Sequence, residues 1–389
     1  MSRVLRLAPV GRAVLAGLLI ATAVATGGAT PAGPPEGFIV VLHDNVSNPG
    51  AVAREHAARF GGQITYVYEH ALKGYAVQGQ AGLAAAVSGD SRVAYVERDD
   101  EMRISTTQSP VTWGLDRIDQ HPLPLNGGYG YANTGAGVTA YIIDTGILTS
   151  HLEFGGRAVN GYDAVDGALP ALDCNGHGTH VAGTVGGANY GVAKGVTLVA
   201  VRVLNCSGSG TTSGVIAGID WVTANHAAGA PAVANMSLGG GASSSLDTAV
   251  RNSIADGVSY AVAAGNGNIV GIAQDACKRS PARVAEAMTI SATDQSDRKA
   301  SWANHGNCVD FFAPGVGITS AWSNSDAGTN TISGTSMATP HTAGVAALYL
   351  QGNPVASPAA VRTALYNATT QGVVTSSRTA NNHLLFTSF

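Results

Sequence analysis

Val138–Ile147, VTAYIIDTGI, reads as a buried strand that ends on a carboxylate. Apolar residues run through Thr139–Ile143 without polar alternation, the pattern of a strand covered on both sides. Asp144 closes the run, and Thr145-Gly146 turns the chain away. Four more short runs have strand character: Leu198–Val203, Val233–Met236, Tyr260–Ala263 and Met288–Ser291. Between and after them, His177–Gly187, Thr212–Ala228, Leu246–Ala255, Met337–Leu350 and Pro358–Tyr366 read as helices. Strands alternating with helices of this length predict an α/β unit, a mostly parallel sheet with helices on both faces. In such sheets reactive groups gather at the carboxyl ends of strands, where Asp144 stands.

Two further runs complete a set. Asn175–Gly183, NGHGTHVAG, places His177 between glycines at the start of a helical run. Ser333–Ala347, SGTSMATPHTAGVAA, places Ser336 at the start of another. A helix start offers unpaired N–H groups and a partial positive charge, both favourable to a nearby oxyanion. A lone Gly-Thr-Ser before an apolar run reads as an ordinary helix cap; its company changes that. The chain order Asp, His, Ser is that of subtilisin, not of chymotrypsin or the α/β-hydrolases. On these three motifs, the chain from about Trp113 to its C-terminus resembles the subtilisin-like serine peptidases, the subtilases. Within them it is most similar to the aqualysin-like members of the proteinase K branch.

Peptide hydrolysis needs an activated nucleophile, a base to take its proton and a group to orient the base. The assignments are Ser336 as nucleophile, His177 as general base and then acid, and Asp144 as the orienting carboxylate. The resemblance adds Asn266, at the end of the apolar run Ser259–Asn266, as oxyanion-hole donor. His180 follows His177 by three, but no HExxH glutamate accompanies them. The resemblance makes His180 structural, and His341 is read the same way. An extended substrate is expected to pair as an added strand with Ser207-Gly208-Ser209-Gly210 and Ser237-Leu238-Gly239-Gly240. Ala263-Ala264-Gly265 is expected to wall the first pocket. With no charged residue in that lining, an apolar or aromatic side chain before the scissile bond and broad specificity are expected.

The first 29 residues read as a signal peptide. Arg3, Arg6 and Arg12 precede an apolar Ala13–Ala25 too short to span a bilayer, and Ala23-Val24-Ala25 suits signal peptidase. Residues 30–105 follow with a βαββαβ order, an α+β ferredoxin-like unit that resembles the inhibitor propeptide of subtilases. Its tail, Glu101–Ser105, is expected to block the active site, and the catalytic domain is expected to span 106–389. Strand candidates there are Phe38–Leu42, Ile64–Tyr68, Leu72–Val77 and Val93–Glu97; helix candidates are Ala51–Phe60 and Leu83–Ser88.

With 389 residues, 12% charged and a net charge of −4, the composition argues against a nucleic-acid-binding surface. No later stretch is apolar enough to cross a membrane, so a soluble, exported, monomeric enzyme is expected, with polypeptides as substrates and its own propeptide as chaperone and inhibitor. Four cysteines permit three pairings; zinc is disfavoured because no pair has C-x₂₋₄-C spacing. The resemblance implies Cys174–Cys206 and Cys277–Cys308. It also implies structural calcium, held by carbonyls of Ala285 and Ala287 with Asp310, and a second site at Asp116, Asp119 and Gln120. Asn126 and Gly128 depart from the family's ligands near that second site. Thr342 stands where valine is usual, with a hydroxyl free to bond back to its own helix. A catalytically dead binding scaffold is disfavoured because all four catalytic positions are filled. An esterase is disfavoured because GTSMA is not G-x-S-x-G.

Overall fold

The computed structural model describes residues 35–70, 72–99 and 106–389. The chain divides into two units, Met1–Met102 and Arg103–Phe389. The expected signal peptide and the tail Glu101–Ser105 lie outside the described residues.

In the first unit, β1 (Glu36–Leu42), α1 (Pro49–Phe60), β2 (Gln63–Tyr68), β3 (Gly74–Gly79), α2 (Leu83–Ser88) and β4 (Val93–Arg98) follow the predicted order. The sheet runs β2-β3-β1-β4 with every pairing antiparallel. Phe38, Val40 and Leu42 alternate along β1 into a core shared with Val52 of α1 and Leu83 and Val87 of α2. Asn48 caps α1 by accepting from Ala51 N at 2.9 Å, with Pro49 in the first turn. The third strand begins at Gly74, not Leu72, where a Cβ would run into the Val40 carbonyl of β1.

The second unit opens with β5 (Thr106–Gln108), which pairs with β6 (Tyr129–Tyr131) around α3 (Trp113–Ile118). Then come β7 (Thr139–Asp144), β8 (Ala158–Asp163), α4 (His177–Gly186), β9 (Thr197–Arg202), α5 (Thr212–Asn225) and β10 (Ala232–Met236). β11 (Gly240–Gly241), α6 (Ser244–Asp256), β12 (Ser259–Ala263), β13 (Arg279–Ser280), β14 (Met288–Thr293) and β15 (Phe311–Pro314) follow. The hairpin β16 (Ile318–Ala321) and β17 (Thr329–Ile332) leads into α7 (Thr335–Gly352) and α8 (Pro358–Ala368). The main sheet has seven strands in the order β15-β14-β12-β10-β7-β9-β8, all parallel.

Strand geometry sorts the side chains between two cores. Ala140 and Ile142 of β7 and Leu198 and Ala200 of β9 face one core, with α4, α7 and α8. Tyr141, Ile143, Val199 and Val201 face the other, with α5 and α6. This period of two explains the unbroken apolar reading of β7. Helix α7 is buried along nearly its whole length. Pro340 lies inside it and lacks the N–H that would bond the carbonyl four residues back, that of Ser336. That carbonyl accepts instead from Ser237 Oγ at 2.8 Å. The proline thus frees the Ser336 backbone for a partner outside the helix.

Candidate active site

Asp144 is the last residue of β7 and is fully buried. Its Oδ1 accepts from His177 Nδ1 at 2.7 Å and from Thr145 N at 2.8 Å. His177 is the first residue of α4 and its side chain is 24% exposed, so one edge of the ring reaches the cleft. Burial disfavours the charged imidazole, but the Asp144 charge and hydrogen bond, backed by Asp173, outweigh it and raise the His177 pKa above 6.5. His180 and His341 behave in the opposite way. Burial lowers both to about 4, and each bonds a backbone carbonyl, Ile318 O and Met337 O. They are neutral packing residues of the α4 and α7 turns.

Ser336 is the second residue of α7 and is half-buried. Its Oγ donates to the Ser237 carbonyl at 3.0 Å and makes no hydrogen bond to His177. Unliganded sites often hold such bonds long or diverted. Asn266 follows β12 and its Oδ1 accepts twice from Thr335, from N and from Oγ1, both at 2.8 Å. With its oxygen engaged, the carboxamide presents Nδ2 as the free end. A Cβ built on Gly334 would stand 3.4 Å from Asn266 Nδ2 and 3.5 Å from Ser336 N. Both donors therefore border the space beside Gly334.

Two cavities share the wall Ser237–Gly240. The larger, about 510 Å³, is lined by His177, Gly208, Ser209, Gly210, Ser237, Leu238 and Gly239 among others. The second, about 240 Å³, is lined by Ser237, Leu238, Gly239, Ala264, Gly265, Asn266 and Ser336. Sequence reading expected an uncharged lining here. The structure corrects that, because Arg279 of β13 also lines the second cavity. Arg279 was missed because β13 reaches the cleft only by pairing with β11, from about forty residues away.

The cysteines pair as Cys174–Cys206 and Cys277–Cys308. The first ties the segment before His177 to the cleft rim, helped by Asn175 Nδ2 donating to Cys206 O at 2.9 Å. The residues named for calcium fare unequally. Asp310, 8% exposed, has both oxygens engaged, one by Arg362 and the other by Thr289 N at 2.7 Å. The set Ala285, Ala287 and Asp310 therefore offers a cation no free carboxylate oxygen while Arg362 is in place. At Asp116, Asp119 and Gln120 the donor set fits better. Asp119 Oδ1 is buried without a partner, and burial raises the Asp119 pKa. Asp116 accepts from Asn126 N and Gly127 N, and Gln120 Oε1 from Asn126 N, so one loop is already folded around these oxygens. Thr342 departs from expectation: its hydroxyl is buried with no partner, not bonded back along α7.

Sequence reading also missed three supporting residues. Asp173 accepts five hydrogen bonds, from Thr145, Asn175, Gly176 and twice from Thr179, and so fixes the turn that carries His177. Its signal was an acid just before a helix start. Thr335 aims Asn266, as described. Asn304 donates to Ala264 O and accepts from Gly267 N and Gln274 N, which pins the loop on both sides of Asn266. No local pattern marks Asn304.

A family model described as the subtilase family matches residues 135–385, and one described as peptidase inhibitor I9 matches residues 38–105. An extracellular serine proteinase of Thermus sp. (strain Rt41A) is 58% identical over 330 residues, 85% of this chain and 79% of that protein. The alkaline serine exoprotease A of Vibrio alginolyticus is 52% identical, over 83% of this chain and 60% of that protein. The crystal structure of a cold adapted subtilisin-like serine proteinase superposes with a TM-score of 0.68 at 56% identity. That match covers 72% of this chain and 98% of the other.

Proposed function

Since this chain belongs to the subtilase family of serine peptidases, we propose that it is a secreted endopeptidase, made as a precursor that processes itself. The observation that supports this reading is that Asp144 bonds His177 at 2.7 Å, while the cavity lined by His177 and the cavity lined by Ser336 and Asn266 share Ser237–Gly240. In the proposed cycle, an extended polypeptide lies between Ser207–Gly210 and Ser237–Gly240 as an added strand. Ser336 Oγ leaves the Ser237 carbonyl, gives its proton to His177 Nε2 and attacks the scissile carbonyl carbon. The oxyanion is held by Asn266 Nδ2 and Ser336 N. The charged imidazole is stabilised by Asp144, then protonates the departing amine. Water, activated by the same histidine, releases the acyl group from Ser336. Apolar and aromatic side chains before the scissile bond suit the Ala264–Gly265 wall.

The extracellular name of the Thermus relative supports export, as does the leader read at residues 1–29. Among the described residues no helix is long and apolar enough to cross a membrane. The inhibitor-like unit at 38–105 supports a propeptide that assists folding and restrains the enzyme until it is cut near Thr106. Domain limits of 1–29, 30–105 and 106–389 and a monomeric mature enzyme belong to this reading. Calcium, when bound at Asp116, Asp119 and Gln120, supplies loop rigidity and takes no part in the chemistry.

The test is Ser336→Ala in the full precursor, in a host without other proteases. The wild type is expected to mature and clear casein, and a serine-directed phosphonylating reagent to stop it. The variant is expected to remain uncleaved near Thr106. Normal maturation of the variant would overturn self-processing, and lipid-ester hydrolysis exceeding peptide hydrolysis would overturn the peptidase reading.

A further inference from the structure

The cavity beside Ser336 and Asn266 is lined by serine, threonine, asparagine, glycine, alanine and leucine, with one ionisable exception, Arg279. The backbone of this residue is fixed. Gly241 pairs with it across β11 and β13, and Arg283 N donates to its carbonyl at 2.9 Å. Two residues earlier, Cys277 is held to Cys308. The next residue, Ser280, is fully buried and turns its Oγ to Ser243 N at 2.9 Å. Successive strand residues point to opposite faces, so Arg279 points away from Ser243. Its side chain is half-buried and has no hydrogen bond or ion pair among the described residues. Elsewhere in the same unit, Arg117, Arg202, Arg283 and Arg362 each engage a carboxylate. Arg279 is thus an unpaired cation on the lining of an otherwise neutral cavity, and what it lacks is an anion.

We propose that Arg279 determines specificity, making the pocket select a carboxylate side chain before the scissile bond over its neutral isostere and exclude lysine and arginine there. This rests on the cleft being a peptidase cleft. Apolar and aromatic residues remain substrates, because the Ala264–Gly265 wall is unchanged and a guanidinium tolerates an aromatic face. What Arg279 adds is a second accepted class, acidic residues, within the same 240 Å³ space.

The experiment compares mature wild type, Arg279→Gln and Arg279→Lys on peptide amides identical except for Glu, Gln, Phe or Lys before the cleaved bond. The readout is the Glu-to-Gln ratio of kcat/KM within each enzyme, which is independent of the active fraction. Wild type is expected to favour Glu, with the ratio falling as salt rises. The ratio is expected to drop about ten-fold in Arg279→Gln, the scale of a charge-assisted hydrogen bond, and to survive in direction in Arg279→Lys. An unchanged ratio in Arg279→Gln, or efficient Lys cleavage by wild type, would overturn the proposal while Phe cleavage leaves the peptidase reading standing. Failure of wild type on all four peptides would overturn both.

Discussion

At the scale of single residues, the balance on His177 has a kinetic signature. The base must be neutral to take the Ser336 proton, and its pKa is raised above 6.5 by Asp144 and Asp173 against the pull of burial. In the proposed cycle activity is lost as pH falls through this raised pKa, and the acid limb of kcat/KM is expected to lie above that of an ordinary imidazole. A limb at or below that of an ordinary imidazole would contradict the balance of charges around the ring. Gly334 supplies a second test. A methyl there stands between Asn266 Nδ2 and Ser336 N, so Gly334→Ala is expected to lower kcat by about 10²–10³, the cost of losing one oxyanion donor. Thermal unfolding in the presence of inhibitor separates this from misfolding. The proposed reacting residues were legible because each sits in a short motif whose neighbours are also constrained: His177 between glycines, Ser336 after Gly-Thr, Asp144 at a strand end. Asp173, Thr335 and Asn304 were less so, because what they do depends on partners that only the fold brings near.

At the scale of elements, α7 is the part most tightly constrained. Gly344 faces α4 and the loop after it, and a Cβ there would lie 2.5 Å from Val192 Cβ and 3.1 Å from Val185 O. Gly344→Ala is expected to cost about 1–3 kcal/mol by overpacking, measured by denaturant unfolding in a Ser336→Ala background to prevent self-digestion. The central strands and long helices were legible from periodicity, since burial on both faces leaves an unmistakable apolar run. Edge strands were not. Sequence reading passed over β8, whose AVNGYD contains Gly161 and a register shift between Asn160 and Tyr162, and β15, four residues ending in a proline. Pairing with one neighbour, not intrinsic pattern, makes these segments strands. Arg279 lies on another such short strand, so the one charge in the pocket was hidden for the same reason.

At the scale of the whole molecule, two disulfides and a buried ion pair hold distant segments of the second unit together. Arg117, wholly buried, engages both oxygens of Asp297 at 2.7 and 2.9 Å and joins α3 to the loop after β14. Arg362 of α8 engages one oxygen of Asp310. Removing it leaves a mostly buried carboxylate without its cation, a loss of about 1–3 kcal/mol. Arg362→Ala is expected to lower the Tm in chelator and to recover more stability than wild type when calcium is added. An equal calcium shift in both proteins would show that Arg362 does not stand in a cation's place.

Ser336 rides on a helix that threads the middle of the second unit, so the nucleophile has no local hinge by which to be lost. Five strands of the main sheet pack on that helix, so heat inactivation is expected to follow unfolding of the whole unit. Residual hydrolysis after heating is then a census of surviving molecules, not a gauge of how far each has deteriorated.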